Sequence, residues 1–177
     1  MPASIRHTWG KVTELHRALK TLNWAAWSFL FGSVGSAKLA AGTTAGKIKT
    51  VAAIDFRVGG QLYTKAVTDD LWNLSGETTL TGGVFKAAIL YLDASGTATY
   101  TLTPSAASAA LALRAVGDLT LGGYVSTKSV IGIYVSTANQ NWGSGGLGGT
   151  YYNGIPEAAY SSSASDGAAG YITFLDV

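Results

Sequence analysis

The first thirty residues carry the most regular hydrophobic pattern in the chain. Apolar residues recur there at alternating intervals of three and four, which is the spacing of the a and d positions of a coiled coil. No proline falls between Pro2 and Pro104, so we predict an N-terminal helix over residues 1–31 that serves in oligomerisation or anchoring. The apolar seam consists of Val12, Leu15, Leu19, Leu22, Ala26 and Phe29, and Trp9, Trp24 and Trp27 lie beside it.

This seam has two interpretations. It can join copies of the chain, or it can pack, together with the tryptophans, on the chain's own sheet. The regular spacing favours self-association, although a helix with so few heptads needs support from the domain behind it. The mixture of residues along the seam does not fix how many chains would associate.

A β-rich body follows a short linker. Residues 32–46 are rich in glycine, alanine and serine and are predicted as the linker, and residues 47–177 as the body. We expect a mainly β fold, an antiparallel sandwich or barrel-like body, with the N-terminal helix and one short internal helix at residues 105–116. The predicted strands cover residues 48–58, 61–65, 84–93, 97–103, 119–125, 130–136 and 171–175.

A long loop over residues 138–165 interrupts the strands. It mixes glycines with aromatic and amide side chains, a composition that is typical of recognition surfaces. The possible recognition residues are Trp142, Tyr151, Tyr152 and Asn153. The alternative is a long connection ordered by packing on a neighbouring subunit, which we favour because aromatic residues also anchor obligate interfaces.

Composition points to an ordered chain with few charges. Hydrophobic residues make up 47% of the chain and charged residues only 12%, so small uncharged residues must cover much of the surface. Such chains often occur inside assemblies. Residues 1–50 carry a net charge of +6 and the remainder −4, which suggests that the two parts face different surroundings.

The sequence offers little for catalysis or ligand chemistry. Cysteine is absent, both histidines (His7 and His16) lie in the predicted helix, and Asp69 and Asp70 are adjacent, which is typical of a turn or helix cap. We therefore predict no enzyme activity, no cofactor and no metal. Four dispersed cations in the helix are too few for strong nucleic-acid binding. The apolar stretch at residues 24–31 is far short of the roughly 20 residues that span a membrane, so we expect neither insertion nor secretion.

One part of the chain resembles a known group of proteins. Lys47-Ile-Lys-Thr-Val-Ala-Ala-Ile-Asp-Phe-Arg-Val58, Gly59-Gly-Gln-Leu-Tyr-Thr-Lys-Ala66, Thr68-Asp-Asp-Leu-Trp72 and Tyr91-Leu-Asp-Ala-Ser-Gly-Thr97 are similar to segments of tailed-bacteriophage virion proteins of the head decoration or head-fibre type. The resemblance covers roughly residues 38–100. It implies a homotrimer on the capsid exterior that contacts the major capsid protein or another virion protein.

Two functions follow from these observations. The first is a capsid decoration (cement) protein whose helix and tryptophans engage neighbouring copies or the shell. The second is a tail or fibre adhesin that binds host-surface carbohydrate through the loop at residues 138–165.

Overall fold

The body of the chain is mainly β. A computed structural model describes residues 37–122, 127–143 and 147–154, which form three antiparallel sheets and one helix, α1 (Ala109–Gly122). The strands are β1 (Leu39–Ala41), β2 (Lys47–Thr50), β3 (Ile54–Val58), β4 (Gln61–Lys65), β5 (Trp72–Asn73), β6 (Ala87–Asp93), β7 (Ala98–Leu102), β8 (Lys128–Val135) and β9 (Thr150–Asn153). This confirms the predicted antiparallel, mainly β class. No sheet in the described part closes into a barrel, and the predicted N-terminal helix lies outside the described residues.

Strand β6 is the centre of the largest sheet. The strand order is β7-β6-β8-β9, and the first six residues of β6 are buried. Alternate side chains therefore enter two separate cores, as expected for a strand with both faces covered. Leu90 lies in one core and Ile89 in the other. The strand predicted at residues 84–93 is present, with a later start at Ala87.

Different elements cover the two faces of this sheet. Helix α1 packs on one face through Ala112, Leu113 and Val116. Residues from the three-stranded sheet (β1-β2-β5) and from the β3–β4 hairpin fill the core on the other face. Trp72 fixes this second layer, because its ring is buried and its Nε1 donates a hydrogen bond to the Tyr91 carbonyl oxygen at 3.1 Å.

The internal helix differs from its predicted bounds. We expected a helix at residues 105–116 and a strand at 119–125, but α1 begins at Ala109 and continues to Gly122. Ser108 caps the start, because the Leu111 amide donates to Ser108 Oγ at 3.2 Å. Gly117 does not end the helix. It is buried one turn after Leu113, so packing outweighs its cost of about 1 kcal/mol relative to alanine.

The predicted strands at residues 48–58 and 61–65 are present, but the first of them is divided. The run at residues 48–58 forms two strands, β2 and β3, which belong to different sheets and are separated by a bend at residues 51–53. Gly59 and Gly60 then form the predicted turn with φ values of 60° and 82°, which favour glycine. Strand β4 returns at the predicted residues 61–65, and it places Tyr63 opposite Phe56.

Two segments that were expected to be irregular contain strands. The predicted linker, residues 32–46, holds β1, which pairs with β2 through Leu39 opposite Thr50. Burial of Leu39 in the core explains why this part joins the body. Strand β9 lies within the predicted loop at residues 138–165 and pairs with β8. The predicted strand at 171–175 is outside the described residues.

Candidate interaction surface

The residues predicted to form the oligomer interface lie outside the described part of the chain. These are the seam residues and the tryptophans beside them: Val12, Leu15, Leu19, Leu22, Ala26, Phe29, Trp9, Trp24 and Trp27. The structure does show where the N-terminal segment joins the body. The carbonyl oxygen of Ala37, the first described residue, accepts hydrogen bonds from Val51 N at 3.0 Å and Ala52 N at 3.2 Å.

Two valines at this junction are exposed to solvent. Thr50 N donates to Thr68 O at 3.1 Å, and Thr68 N donates to Thr50 Oγ1 at 3.0 Å. Val51 follows Thr50 and Val67 precedes Thr68, so the two valines flank this hydrogen-bonded pair. Their exposed fractions are 52% and 59%. We call Val51 and Val67 the junction patch. Exposed aliphatic residues beside the attachment point of an amphipathic segment indicate a surface that can contact that segment or another copy.

The predicted recognition loop packs on its own body. Trp142 is completely buried, and its ring meets Tyr134 edge-on with 6.0 Å between ring centroids. The ring of Tyr151 lies 4.9 Å from the same tyrosine ring. Tyr152 is half-buried against the helix-side core, and exposed Asn153 accepts a hydrogen bond from Leu39 N at 3.3 Å. These four side chains therefore do not form one open aromatic surface.

A buried polar network holds the same loop in place. Gln140 Oε1 accepts hydrogen bonds from Tyr134 Oη and Thr137 Oγ1, both at 2.9 Å. Tyr134 Oη also accepts from Gly149 N at 3.1 Å, and burial raises the pKa of this tyrosine to about 12. The hydroxyl thus stays protonated near neutral pH and keeps donating to Gln140. No residue in the described part of the chain accepts a hydrogen bond from the buried Trp142 Nε1 atom.

The adjacent aspartates hold a loop rather than forming a reactive pair. Asp69 accepts hydrogen bonds from the backbone N and hydroxyl of Thr43, and Asp70 from the same two groups of Thr44. The hydrogen bond from the threonine hydroxyl is the main reason why the pKa of each carboxyl lies below its usual value. Both carboxylates are therefore ionised acceptors near neutral pH.

Asp93 has a similar role at the β6–β7 turn. Its carboxylate accepts from Ser95 Oγ at 2.6 Å and from Thr97 N at 2.8 Å. The hydrogen bond from the Ser95 side chain lowers the pKa of Asp93 most strongly. This is the Asx turn that the Asp93-Ala-Ser-Gly96 sequence predicts.

The sequence alone did not reveal the junction patch, nor did it reveal which residues bond to Asp69 and Asp70. Thr43 and Thr44 were assigned to the linker, although two adjacent hydroxyls could have been matched with two adjacent carboxylates. Val51 and Val67 lie in or beside predicted strands, and their exposure depends on how the sheets pack.

No family, curated protein sequence or solved structure matched this chain. Among the described residues, no three His, Cys, Asp or Glu side chains are grouped so that they could hold a metal. In the same part of the chain, no helix has the length and apolar character needed to cross a membrane.

Proposed function

We propose that this chain is a non-enzymatic virion structural protein, a capsid decoration protein that self-associates as a trimer and stabilises or decorates the head. The observation that carries the proposal is the junction patch. Exposed Val51 donates its N–H to Ala37 O, where the N-terminal segment with its apolar seam joins the body, and exposed Val67 precedes Thr68, which bonds to Thr50 next to Val51. The predicted apolar seam lies before this attachment point and the junction patch lies on the body beside it. Two apolar surfaces so placed favour association over an isolated monomer.

The roles of the carboxylates support a structural rather than a catalytic protein. Asp69, Asp70 and Asp93 all accept hydrogen bonds that shape turns, and these bonds lower their pKa values. A general acid at neutral pH needs the opposite shift. The location on the capsid exterior, the trimer and contact with the major capsid protein rest on the sequence resemblance over residues 38–100.

No observation favours the adhesin as a second function. A carbohydrate site built on the loop at residues 138–165 would need its aromatic rings at the surface. Trp142 is instead fully buried, and Tyr151 donates a hydrogen bond to Leu147 O at 2.8 Å while its ring packs on Tyr134.

Solution mass is the first test of self-association. Light scattering on the full chain should give a trimer, and the Leu15→Asp and Leu22→Asp variants should shift it to monomer because a charge would then lie in the apolar seam. Thr21→Asp, which places the same charge beside the seam, is the control and should remain trimeric. A monomeric unaltered chain, or seam variants that keep the mass of the control, would contradict the proposed self-association.

Virion association needs a separate measurement. Purified protein should co-sediment with capsids of the parent phage that lack it, and the bound amount should saturate. The Leu15→Asp variant should bind less than Thr21→Asp at equal concentration. If the unaltered trimer does not sediment with capsids, the decoration role is wrong even though the self-association stands.

A further inference from the structure

Strand β7 forms one edge of the four-stranded sheet. Thr103 N donates to Ala87 O at 2.9 Å, and Asp93 N donates to Thr97 O at 3.2 Å. Because antiparallel pairing alternates, the odd-numbered residues of β7 direct their backbone groups toward β6. The N–H and C=O groups of Ala98, Tyr100 and Leu102 therefore point outward, where no strand lies in the described part of the chain.

This edge is protected against further pairing only at its end, where Pro104 follows Thr103. Charged residues and prolines are absent from residues 97–103, and the pairing of β6 with β7 has no register shift. Exposed edges of natural sheets are normally protected by lysine, proline, a bulge or a covering element. The lack of such protection along residues 97–103 indicates that another strand covers β7.

The side chains along the edge support the same conclusion. Ala98, Tyr100 and Leu102 pack against the larger core but remain only partly buried. A neighbouring strand would cover the open flank of these side chains as well as their backbone groups. The other edge differs, because β1 approaches β9 there and Leu39 N donates to Asn153 Oδ1.

The sequence beyond the described residues includes a segment whose residue pattern predicts a strand. Tyr171-Ile-Thr-Phe-Leu175 is β-branched and aromatic, and it places Ile172 and Phe174 on one face of an extended segment. Residues 155–170 would connect it to Gly154, the last described residue. A random coil of that length has a root-mean-square end-to-end distance of roughly 20–24 Å. Crossing from β9 to a position beside β7 takes about 19 Å, or four strand spacings.

We propose that residues 171–175 of the same chain pair with β7 as a fifth strand of this sheet. The added strand bonds the outward groups of Ala98, Tyr100 and Leu102, and Ile172 and Phe174 cover Tyr100 and Leu102. The pairing does not depend on the proposed virion role, because it rests only on the sheet edge and on the C-terminal sequence.

Amide hydrogen exchange by NMR on the full chain tests this pairing. The amides of Ala98, Tyr100 and Leu102 should be protected in the unaltered protein. They should exchange at least about tenfold faster in Ile172→Pro, since the Ile172 N–H would point toward β7 in an antiparallel pair and proline removes that donor. Ser163→Pro, in the connecting segment, should leave them protected, and Ile89 should be protected in all three proteins. Unprotected edge amides in the unaltered chain, or equal rates in both variants, would overturn the proposal.

Isotope-filtered NOEs identify which copy supplies the strand. In a mixture of labelled and unlabelled chains, contacts between Tyr100 and Phe174 should arise within one molecule. Contacts between labelled and unlabelled molecules would overturn the assignment to the same chain. The absence of any contact between these two rings in the unaltered protein would also overturn the pairing, without relying on a variant.

Discussion

Several glycines lie where the backbone of another segment comes close. A Cβ added at Gly149 would overlap the carbonyl oxygen of Val135 and crowd the ring of Tyr134. Backbone atoms cannot move aside as the end of a flexible side chain can, so such a position requires glycine. The close approach of Gly149 is also what lets its N–H reach the Tyr134 hydroxyl.

Gly149→Ala should therefore destabilise the fold. We expect a loss of about 1–3 kcal/mol in the free energy of unfolding, the usual cost of overpacking, measured by urea denaturation followed by circular dichroism. Gly76→Ala is the matched control, because an added Cβ there meets no atom within 4 Å. Equal unfolding free energies for the two variants would contradict the tight packing of the loop at Gly149.

Local turn chemistry was predictable at the residue scale, whereas long-range partners were not. The Gly59-Gly60 turn and the Asp93 turn follow from residues that are adjacent in sequence. The hydrogen bonds from Thr43 to Asp69 join residues 26 positions apart. Nothing in the local sequence pattern specifies such a distant pairing. The burial of Trp142 likewise depends on packing that the residues next to it in sequence do not determine.

At the scale of elements, strands with a clear alternation were predicted well. Strands β4, β7 and β8 and the central β6 lie close to their expected positions. Short strands such as β1 and β9 were missed, because three or four residues carry too little periodicity to be recognised. Their pairing depends on neighbours that are distant in sequence, as for Leu39 opposite Thr50.

The start of helix α1 offers a direct test at this scale. Ser108→Ala should lower the free energy of unfolding by about 1 kcal/mol, because the Leu111 amide would lose the Ser108 hydroxyl as its acceptor. Ser105→Ala is the control, since Ser105 is exposed and precedes the helix. Thermal or urea unfolding compares the two variants. A larger effect at Ser105 would instead support the earlier helix start that the sequence predicts.

At the scale of the whole molecule, the junction patch connects the body to the proposed assembly. Val51, Val67 and Leu62 have similar exposed fractions of 52%, 59% and 56%. Val51 donates one of the hydrogen bonds that link Ala37 to the body, and Val67 precedes Thr68, which bonds to the neighbouring Thr50. Leu62 lies opposite Arg57 in the β3–β4 hairpin and serves as a comparison of equal exposure.

We expect Val51→Ser combined with Val67→Ser to weaken the proposed trimer. Loss of two exposed apolar side chains from a contact surface should raise the dissociation constant about tenfold or more, measured by sedimentation equilibrium. Leu62→Ser should leave the association unchanged. All three substitutions should change the unfolding free energy of the body little, because the side chains are already exposed. Equal association of the double variant and Leu62→Ser would show that the junction patch takes no part.

The contact between β1 and β9 also has a consequence for the order of folding. Leu39 N meets the side chain of Asn153, 114 positions later in the chain. During synthesis, β1 emerges from the ribosome long before β9 exists, so this contact must wait until nearly all of the body has been made. Contacts of such long range slow folding. Strand β1 can pair with β2 early, because those contacts are close in sequence, but its link to β9 forms only when the body is almost complete.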